Sequence, residues 1–439
     1  MRRIFSDYAY GPGPRSNCWW DETIAAPVWP SQAGDLQADV AVIGGGFTGL
    51  SAALHLAEAG AEVTVLEAET PGWGASGRNG GFCCLGGSKL SSAAMRRKFG
   101  AAATEAYEAG EEAAVTLVAG LLEKHGIDAD THSKGETRLA HSPRALRRLQ
   151  AEAHALAAAG ETPDFLSKAQ LAEAGLNGNF HGALTTPVGF ALNPRKYLFG
   201  LANAAQNAGA KLFQNSPACT ITRKSSGFAV QTPKGMIRCN QVIIATNGYS
   251  SEDLPGWLAG RYMPTQSTAM VTRPLSEAEL QEQGWFSHQM AYDSRNLLHY
   301  FRLMPDRRFL FGMRGGLLSS PSAEAGIRRK LRQDFEALFP AWRHVQSTHI
   351  WSGMVCLSRN LTPYVGPVQE HPGMLAGLCY HGNGVAMGSY SGRLLADLAQ
   401  GRQPDLPYSP VMQKMGKFPL GRWRRALMPP AYALLGLMD

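Results

Sequence analysis

The residues with the most specific chemistry form a glycine-rich turn at positions 44–49, Gly-Gly-Gly-Phe-Thr-Gly. In this spacing the first glycine permits a tight turn, the second admits a pyrophosphate, and the third lets a helix lie close to the preceding strand. Glu67 ends the next apolar run, where a carboxylate can accept the hydroxyls of a ribose. The pattern predicts a dinucleotide site with these contact residues: Gly44, Gly46, Phe47, Thr48, Gly49, Glu67 and Ala68.

The elements that must position this turn lie on both sides of it. Residues 39–43 and 62–67 are short apolar runs, typical of strands that are buried on both faces. Between them, apolar residues at helical spacing predict a helix over 48–60, which Gly60 closes. The sequence therefore predicts a strand, a turn, a helix and a strand in the order that a dinucleotide-binding domain requires.

Further along, the sequence favours FAD over NAD as the dinucleotide. A second glycine-rich segment at 73–81 stands where an NAD domain has its third strand, and it lets main chain lie against a flat ring system. Short β-rich runs between 211 and 247 predict an inserted meander. After the meander, residues 242–246 predict a further buried strand that ends in small residues.

The rest of the chain divides into four stretches. Residues 1–37 predict an irregular arm, and residues 92–175, rich in Ala, Glu, Leu and Arg, predict helices. Residues 262–316 alternate strand-like runs with a charged helical insert at 276–284. Residues 384–400 predict a last amphipathic helix.

Composition limits the class of protein. The chain has 439 residues, with 49 glycines and only 18% charged residues, which predicts two or three domains around a large interior. No uncharged apolar run reaches the ~18 residues of a membrane helix, and residues 1–7 lack the apolar stretch of a secretory signal. Seven cysteines without regular spacing predict reduced thiols in a cytoplasm, and no His/Cys cluster has metal-ligand spacing. The net charge of +7 lies in short basic runs without the aromatic pattern of a nucleic-acid-binding protein.

Several segments carry a family resemblance that covers nearly the whole chain. Besides 44–49 with Glu67, they are 74–81, 245–249, 299–302, 309–314, 351–354 and 380–385. In these segments the chain resembles the D-amino-acid-oxidase-like (DAO) superfamily of FAD-dependent oxidoreductases, which includes glycine oxidase and sarcosine oxidase. Within it, the chain is most similar to the gamma-glutamylputrescine oxidoreductase branch.

The resemblance implies flavin oxidation of a carbon–nitrogen bond in a primary or secondary amine or an N-substituted amino acid. Hydride passes from the carbon next to nitrogen to flavin N5, and water hydrolyses the imine to an aldehyde or keto product. The implied fold is α/β, α+β overall, with a Rossmann-type FAD-binding domain and an inserted mixed-sheet substrate-binding domain. The expected parts are an N-terminal arm at 1–37, a discontinuous FAD-binding domain at 38–100, 188–258 and 350–439, and a substrate-binding domain at 101–187 and 259–349.

The resemblance also implies further contacts to FAD. Residues 380–388 place small residues before a helix, whose first N–H groups can face the flavin N1/C2 carbonyl and stabilise negative charge there. The implied FAD contacts beyond the turn are Gly74, Ala75, Ser76, Arg78, Asn79, Gly80, Gly81, Cys219, Thr246, Asn247, Gly248, Gly353, Gly382, Asn383, Gly384 and Val385.

Candidate substrate-side residues come from separated segments. The candidate catalytic residues are His381, Arg302 and Tyr300, and the candidate substrate-binding residues are Tyr262, Arg314 and Tyr380. His381 can donate to the flavin or orient substrate, or it can be a structural histidine that the backbone satisfies. Each arginine can clamp a carboxylate bidentately or form a surface ion pair. Tyr300 and Tyr262 can be pocket walls or core residues.

Two departures from relatives bear on the cofactor and the electron acceptor. Gly353 stands where sarcosine oxidases link the flavin to a cysteine, and Cys356 is out of register, so noncovalent FAD is expected. Residues 309–312 contain no lysine, although this strand carries the oxygen-activating lysine of those oxidases. The acceptor is therefore left open between O₂ and another compound.

Alternatives remain open at the level of the sequence. They are a glycine- or D-amino-acid-type oxidase, a membrane-associated dehydrogenase, and a non-catalytic FAD-binding subunit of a larger flavoenzyme. The stretch 418–439 is basic and then apolar, so it can contact an anionic membrane surface. Packing against the FAD-binding domain is favoured, because Pro429 and Pro430 are expected to break a long amphipathic helix.

Overall fold

The computed structural model describes residues 1–403, 410–437 and 439. Its strands are β1 Gly34–Ile43, β2 Val63–Leu66, β3 Phe82–Cys83, β4 Glu136–Leu139, β5 Asp164–Ser167, β6 Gly182–Thr186, β7 Phe190–Ala191, β8 Lys211–Phe213, β9 Thr220–Arg223, β10 Phe228–Thr232, β11 Gly235–Ile244, β12 Tyr262–Thr272, β13 Met290–Asp293, β14 His299–Leu303, β15 Phe309–Gly316, β16 Ser347–Ser358, β17 Tyr364–Pro367 and β18 Met374–Leu378. Its helices are α1 Asp7–Tyr10, α2 Trp20–Thr23, α3 Phe47–Glu58, α4 Ser92–Phe99, α5 Ala101–Lys124, α6 Pro143–Ala158, α7 Lys168–Glu173, α8 Pro194–Asn207, α9 Glu277–Gln283, α10 Pro321–Leu338, α11 Ala386–Ala399 and α12 Met428–Leu437.

The first sheet has the order β17-β18-β11-β1-β2-β8, and β10 and β9 extend it beside β11. β1 runs parallel to both β11 and β2, and its last four residues are buried. Such a continuous apolar run suits a parallel sheet with both faces covered. The predicted meander is confirmed, because β9, β10 and the first half of β11 pair in antiparallel fashion. The carboxyl ends of β1, β2 and β11 meet at one edge, where the glycine-rich turn begins.

Close backbone contacts hold two helices against this sheet. α3 starts directly after the turn, with Gly46 as its N-terminal cap. A Cβ on Gly49 would lie 1.9 Å from the carbonyl oxygen of Gly44, and a Cβ on Gly392 of α11 would lie 2.4 Å from that of Thr48. The turn, α3 and α11 therefore touch backbone to backbone, and this geometry excludes any side chain at these glycines.

The second sheet has the order β16-β12-β15-β14-β13-β4-β6-β5. Its strands are antiparallel except for the parallel pair β13 and β4, so the predicted mixed sheet is confirmed. One face packs on α10 through an aromatic cluster. The cluster consists of Phe180, Trp285, Phe301, Phe309, Phe311, Phe335, Phe339 and Trp342.

The helical prediction for residues 92–175 is wrong at two places. β4 and β5 interrupt the helices, and both pair with β6. β4 alternates half-buried and buried residues and also pairs with β13, which comes from a distant part of the chain. Tertiary pairing therefore overrides the local helical composition.

The domain boundaries stay a proposal. The predicted boundary at residue 350 falls inside β16, which pairs with β12 in the second sheet from Ser347 to Ser358. We therefore propose to place this boundary after Ser358. Residues 404–409 of the predicted FAD-binding segment lie outside the described residues.

The N-terminal arm contains two short helices and contributes buried residues to the interior. Trp20 and Trp29 are each 2% exposed, and the indole N–H of Trp20 donates to the carbonyl of Asn79 at 2.8 Å. The prediction of an irregular arm is therefore only partly right, because this arm packs against the second glycine-rich segment. Apolar tryptophan side chains gain free energy from this burial.

The C-terminal residues 410–437 pack back onto the protein through buried arginines. Arg424 donates to the carbonyl of Tyr262 and pairs with Glu252, both at 2.6 Å. Pro429 and Pro430 lie in the first turn of α12, where proline is tolerated, so they begin a helix instead of breaking one.

Peripheral membrane contact stays a prediction. Within residues 1–403 and 410–437, no helix has the length and hydropathy needed to cross a bilayer.

The aromatic cluster under the second sheet gives a stability prediction. Phe339 is fully buried among its rings, so Phe339→Ala removes packing on several sides and is expected to cost about 3–5 kcal/mol of unfolding free energy. Urea unfolding monitored by circular dichroism measures the change. Phe286→Ala is the matched control, because Phe286 is 39% exposed and its truncation should cost less than about 1 kcal/mol. Equal losses in the two variants would contradict the assigned core.

Candidate active site

A cavity of about 410 Å³ lies where the first sheet faces the second. The first sheet contributes the carboxyl ends of β1, β2 and β11, which is where open α/β sheets bind their ligands. The second sheet contributes Tyr300 of β14, Arg314 of β15 and Gly353 of β16. The cavity therefore joins the predicted dinucleotide elements to the predicted substrate wall.

The glycine-rich turn forms one end of the cavity. Gly44 has a φ of 109°, and a Cβ there would lie 2.8 Å from the carbonyl oxygen of Ala245. Gly46 caps α3, and the N–H of Phe47 donates to Ser76 Oγ at 3.0 Å. Because the first N–H groups of a helix lack partners within it, the start of α3 offers donors and positive potential to a phosphate.

Glu67 lies beside this turn at the end of β2. Its Oε2 accepts the N–H of Gly45 at 2.9 Å, and its Oε1 accepts the N–H of Glu69 at 3.0 Å. Burial raises the pKa of Glu67, although these two N–H groups oppose the change. Each carboxylate oxygen keeps a lone pair for a ligand hydroxyl. Ala68, the next residue, also lines the cavity.

The second glycine-rich segment lies along the middle of the cavity. Gly74, Ala75, Ser76 and Gly80 line it. Arg78 is buried at 2% exposure and donates to the Ser352 carbonyl at 3.1 Å and to the Tyr249 hydroxyl at 2.5 Å. This places the Arg78 cation, whose Nε has no partner among the described residues, at the cavity wall.

Asn79 shapes the same segment. Its amide donates to the carbonyls of Ala75 and Ser76, and its Oδ1 accepts the N–H of Gly81 at 2.8 Å. A short side chain that bonds its own backbone fixes a turn. Asn79 therefore determines the path of the main chain that faces the cavity.

Three residues that follow the ends of β11 and β18 have a left-handed backbone. The φ values of Asn247, Cys379 and His381 are 42°, 69° and 51°. Residues other than glycine rarely adopt this region of backbone conformation. Asn247 Oδ1 accepts the N–H of Cys379 at 2.9 Å and ties the two strand ends together. Strain of this kind persists where the surroundings determine it, often at functional sites. The neighbouring cavity residues are Thr246, Gly382, Asn383, Gly384 and Val385.

His381 lines the cavity, but both of its ring nitrogens are engaged. Nδ1 lies 2.7 Å from the carbonyl oxygen of Gly87, and Nε2 accepts the N–H of Ser358 at 3.1 Å. These partners require a neutral ring that carries its proton on Nδ1. Burial lowers the pKa of His381 to about 4. The predicted alternative, a histidine satisfied by the backbone, describes this geometry.

Arg314 and Tyr300 form the wall opposite the turn. The Tyr300 hydroxyl lies 3.0 Å from Ser267 Oγ, and its ring lies over Gly312 and beside Gly80. The Arg314 guanidinium makes no hydrogen bond or ion pair with any side chain in the described part of the chain. Burial lowers the pKa of Arg314. A cation at a cavity wall that is hydrogen-bonded to no protein anion is available to an anionic ligand group.

Tyr380 lines the cavity next to the glycine-rich turn. Its hydroxyl lies 2.8 Å from Thr48 Oγ1, and it ties the segment before α11 to the first turn of α3. Burial raises the pKa of Tyr380. The Tyr380 hydroxyl therefore stabilises the glycine-rich turn through its contact with Thr48.

Six predicted site residues do not line the cavity: Arg302, Tyr262, Cys219, Gly49, Gly81 and Gly248. Arg302 is 1% exposed and donates to the Leu192 carbonyl at 2.8 Å, with His132 Nε2 at 3.1 Å, so its guanidinium lies behind the cavity wall. Tyr262 is a core residue that donates to the Ser250 carbonyl at 2.7 Å.

Among the predicted cofactor contacts, Cys219 is exposed, and Pro217 and Ala218 reach the cavity in its place. The three glycines lie behind the lining, where a Cβ on Gly81 would be 2.0 Å from the Leu192 carbonyl oxygen.

Sequence reasoning missed several lining residues, among them Lys89, Glu136 and Tyr292. Glu136 lies on β4, inside the stretch that its composition predicted as helix. Burial alternates over 136–139 in the structure, but the sequence Glu-Thr-Arg-Leu has a single apolar residue and carries no alternating signal of a strand. Lys89 is exposed at the edge of the cavity in a loop without a motif.

The residues around the cavity fit a dinucleotide. A Cβ on Gly46 would lie 2.9 Å from Ser76 Oγ, and a Cβ on Gly45 would lie 3.2 Å from Glu67 Oε2, so glycine keeps this cradle open. Donors at the start of α3 suit a pyrophosphate, and Glu67 suits a ribose. The glycine-rich segment at 74–81 leaves main chain facing the space where a flat ring would lie.

Comparison with known proteins agrees with this arrangement. A probable oxidoreductase OrdL of Rhizobium meliloti (strain 1021) is 31% identical over 427 residues, which cover 96% of this chain and 97% of that protein. The gamma-glutamylputrescine oxidoreductase of Escherichia coli (strain K12) is 29% identical over 372 residues, 83% of this chain and 84% of that one.

Among solved structures, glycine oxidase from Geobacillus kaustophilus has the same fold. Its TM-score is 0.71 at 22% identity, and the match covers 87% of this chain and 100% of that one. The family model described as FAD dependent oxidoreductase (DAO) matches residues 39–398, which include the turn, Glu67 and the start of α11. The chain belongs to the DAO family of FAD-dependent oxidoreductases.

Proposed function

We propose that this FAD-dependent oxidoreductase oxidises the carbon–nitrogen bond of a primary or secondary amine, or of an N-substituted amino acid, that also carries a carboxylate, as gamma-glutamylputrescine does. The observation that carries the proposal is the unpaired guanidinium of Arg314 on the wall opposite the FAD elements. FAD, when bound, supplies the acceptor for a hydride from the carbon next to nitrogen, and water hydrolyses the imine product.

Arg314 suits a substrate carboxylate for two reasons. A partly buried cation that is hydrogen-bonded to no anion has lost hydration, so a carboxylate from a ligand would stabilise it. Gly382 leaves space in front of the guanidinium, since a Cβ there would lie 2.7 Å from its Nη2. A guanidinium can then hold the carboxylate through two parallel hydrogen bonds. We assign this role to Arg314 instead of Arg302, which is 1% exposed and whose Nη1 and Nη2 bond His132 and the Leu192 carbonyl.

Tyr300 is placed to position the reacting part of the substrate. Its ring is confined between Gly312 on the neighbouring strand and Gly80 on the segment that faces FAD, because a Cβ on either glycine would clash with it. Burial raises the pKa of Tyr300, so its hydroxyl keeps its proton and can donate a hydrogen bond. It therefore lies between the FAD elements and the carboxylate-binding wall.

The proposed reaction needs no strong base. An amine must be neutral to release hydride from the adjacent carbon, and a nearby cation together with burial lowers an amine's pKa. Arg314 supplies that cation. His381 keeps its Nδ1 proton on the Gly87 carbonyl and its Nε2 occupied by the Ser358 N–H, so we assign it the positioning of the segment before α11.

The surroundings of Cys356 support noncovalent FAD. Cys356 Sγ lies 3.5 Å from Cys379 Sγ, and both side chains are buried. Gly353, which lines the cavity on this strand, has no side chain to form a bond.

Spectroscopy of the purified protein tests the function. We expect a yellow supernatant after acid precipitation, which shows noncovalent flavin, and bleaching of the anaerobic protein by at least one carboxylate-bearing amine among gamma-glutamylputrescine, sarcosine, glycine and D-alanine. Peroxide release in air would identify O₂ as the acceptor, and bleaching without peroxide would identify a dehydrogenase. A yellow protein that no amine reduces would refute the function and favour a non-catalytic subunit.

Substitution of Arg314 tests the carboxylate site. Arg314→Gln should raise KM for carboxylate-bearing amines about 10–100-fold, as expected for loss of a charge-assisted pair, and leave carboxylate-free amines nearly unchanged. Arg314→Lys keeps the charge without the planar fork and should recover part of the loss. Arg343→Gln, at an exposed position, is the control. If Arg314→Gln impairs both substrate types equally, the assignment is wrong.

The pH dependence of stability tests the role of His381. Its folded-state pKa of about 4 lies below the usual 6.5, so the unfolded state binds more protons between these values, and stability falls as pH falls through this window. His381→Gln should remove up to about 3 kcal/mol of this pH-dependent loss in urea unfolding. It should not shift the pKa values seen in the profile of kcat/KM, whereas a catalytic acid or base would. His154→Gln, on the exposed face of α6, is the control.

A further inference from the structure

Exposed apolar side chains are concentrated near the end of the chain. Of the ten large apolar side chains that the described part of the chain exposes, five lie on one surface, with exposed fractions from 57% for Leu420 to 86% for Leu437. We call this surface the C-terminal face, defined by Leu318, Leu420, Trp423, Leu434 and Leu437. A contiguous exposed apolar patch marks a place where a partner or a membrane binds.

Contacts among three segments bring these side chains together. Thr265 Oγ1 lies 3.2 Å from the Tyr432 hydroxyl of α12 and donates to the carbonyl of Gly316 at 3.1 Å. Arg425 Nη2 donates to the carbonyl of Leu317 in the same loop at 2.5 Å. The loop after β15 therefore adjoins both α12 and the segment that precedes α12, and the apolar side chains of the three segments share one surface.

The helix α12 is exposed although it contains no charged residue. It has ten residues, and Met428 alone among them is buried. A helix that is apolar on all sides is normally covered, either by the core of a protein or by lipid. The described part of the chain leaves most of α12 uncovered.

The C-terminal face also carries positive charge. Residues 410–439 contain five basic residues and one acidic residue, Asp439. Lys417 and Arg422 are exposed and form no ion pair within the described part of the chain. The Arg422 guanidinium lies 5.0 Å from the centre of the Trp423 ring. A cation and an exposed tryptophan therefore lie side by side, and tryptophan favours the boundary between lipid and water.

This charge favours an anionic membrane over a second copy of the chain as the cover of the face. Two copies that met through the same face would bring unpaired cations together, and like charges across an interface disfavour association. A membrane surface supplies both missing partners, because acyl chains cover apolar side chains and anionic headgroups pair with Lys and Arg.

We propose that the C-terminal face binds the surface of a membrane that contains anionic lipids. Trp423 and α12 would lie in the headgroup region, and Lys417 and Arg422 would pair with lipid phosphates. The proposal does not depend on which amine the enzyme oxidises.

The C-terminal face adjoins the substrate wall of the cavity. Asn296 Nδ2 donates to the Leu435 carbonyl of α12 at 3.3 Å, and Leu298 of the same loop lines the cavity beside Arg314. Arg314 N–H donates to the Leu298 carbonyl at 3.4 Å. Binding through this face would therefore hold the substrate wall close to the membrane.

Co-sedimentation of the FAD-loaded enzyme with lipid vesicles tests the C-terminal face. Vesicles of phosphatidylcholine are compared with vesicles in which phosphatidylglycerol replaces about a third of that lipid. We expect at least about tenfold tighter binding to the anionic vesicles, and loss of most of this preference at about 0.5 M salt, where charges are screened. Trp423→Ala should weaken binding about tenfold through lost apolar burial, and Arg422→Gln about fivefold through lost charge.

Phe286→Ala and Arg343→Gln are the matched controls. Both residues are exposed and lie outside the C-terminal face, so their variants remove a similar ring and the same charge and should keep the affinity. No binding to anionic vesicles, equal binding to the two kinds of vesicle, or equal losses in Trp423→Ala and Phe286→Ala would overturn the proposal.

Sedimentation velocity without lipid tests the competing cover. A dimer that Trp423→Ala dissociates would overturn the proposal, because a second copy would then cover the face. A monomer that binds anionic vesicles supports it. Neither measurement uses an amine, so a failure of the proposed function would leave these results unchanged.

Discussion

The contact between the backbone of the glycine-rich turn and the first turn of α3 is the constraint on which the rest of the site depends. The carbonyl of Gly44 occupies the space where a side chain of Gly49 would be, and the α3 backbone touches Gly392 in the same way. Filling either space would push a helix away from the sheet. Because these contacts hold, the start of α3, Glu67 and the segment before α11 reach one edge of the first sheet, and the second sheet closes the cavity above them.

Two charged groups face the cavity from its two sides. Glu67 lies beside the glycine-rich turn, where the N–H groups of Gly45 and Glu69 hold its carboxylate, and Arg314 lies on the wall that the second sheet contributes. Each group is at least partly withdrawn from water, which costs free energy in the folded protein. A ligand that bonds these groups recovers part of that cost.

Several buried polar side chains bond backbone groups of distant segments. Arg302 and Arg424 are fully buried and hold carbonyl groups of distant segments, and His381 joins the Gly87 carbonyl to the Ser358 N–H. A buried guanidinium or imidazole can satisfy several backbone groups at once, which suits loops that cross between two sheets. These side chains therefore hold the loops around the cavity in place.

What the sequence determined by itself is the local part of the FAD site and the elements that flank it. The turn, its two strands, α3 and Glu67 follow one another in the chain, so spacing and periodicity suffice to predict their geometry. The tertiary structure alone decided which substrate-side residues reach the cavity. Tyr300, Arg302 and Arg314 share one face of the second sheet, since Tyr300 pairs with Gly312, yet Leu192 and His132 enclose Arg302. Likewise, Glu136 reaches the cavity because β4 pairs with strands far away in the chain, and such long-range pairing leaves only a weak pattern in the sequence.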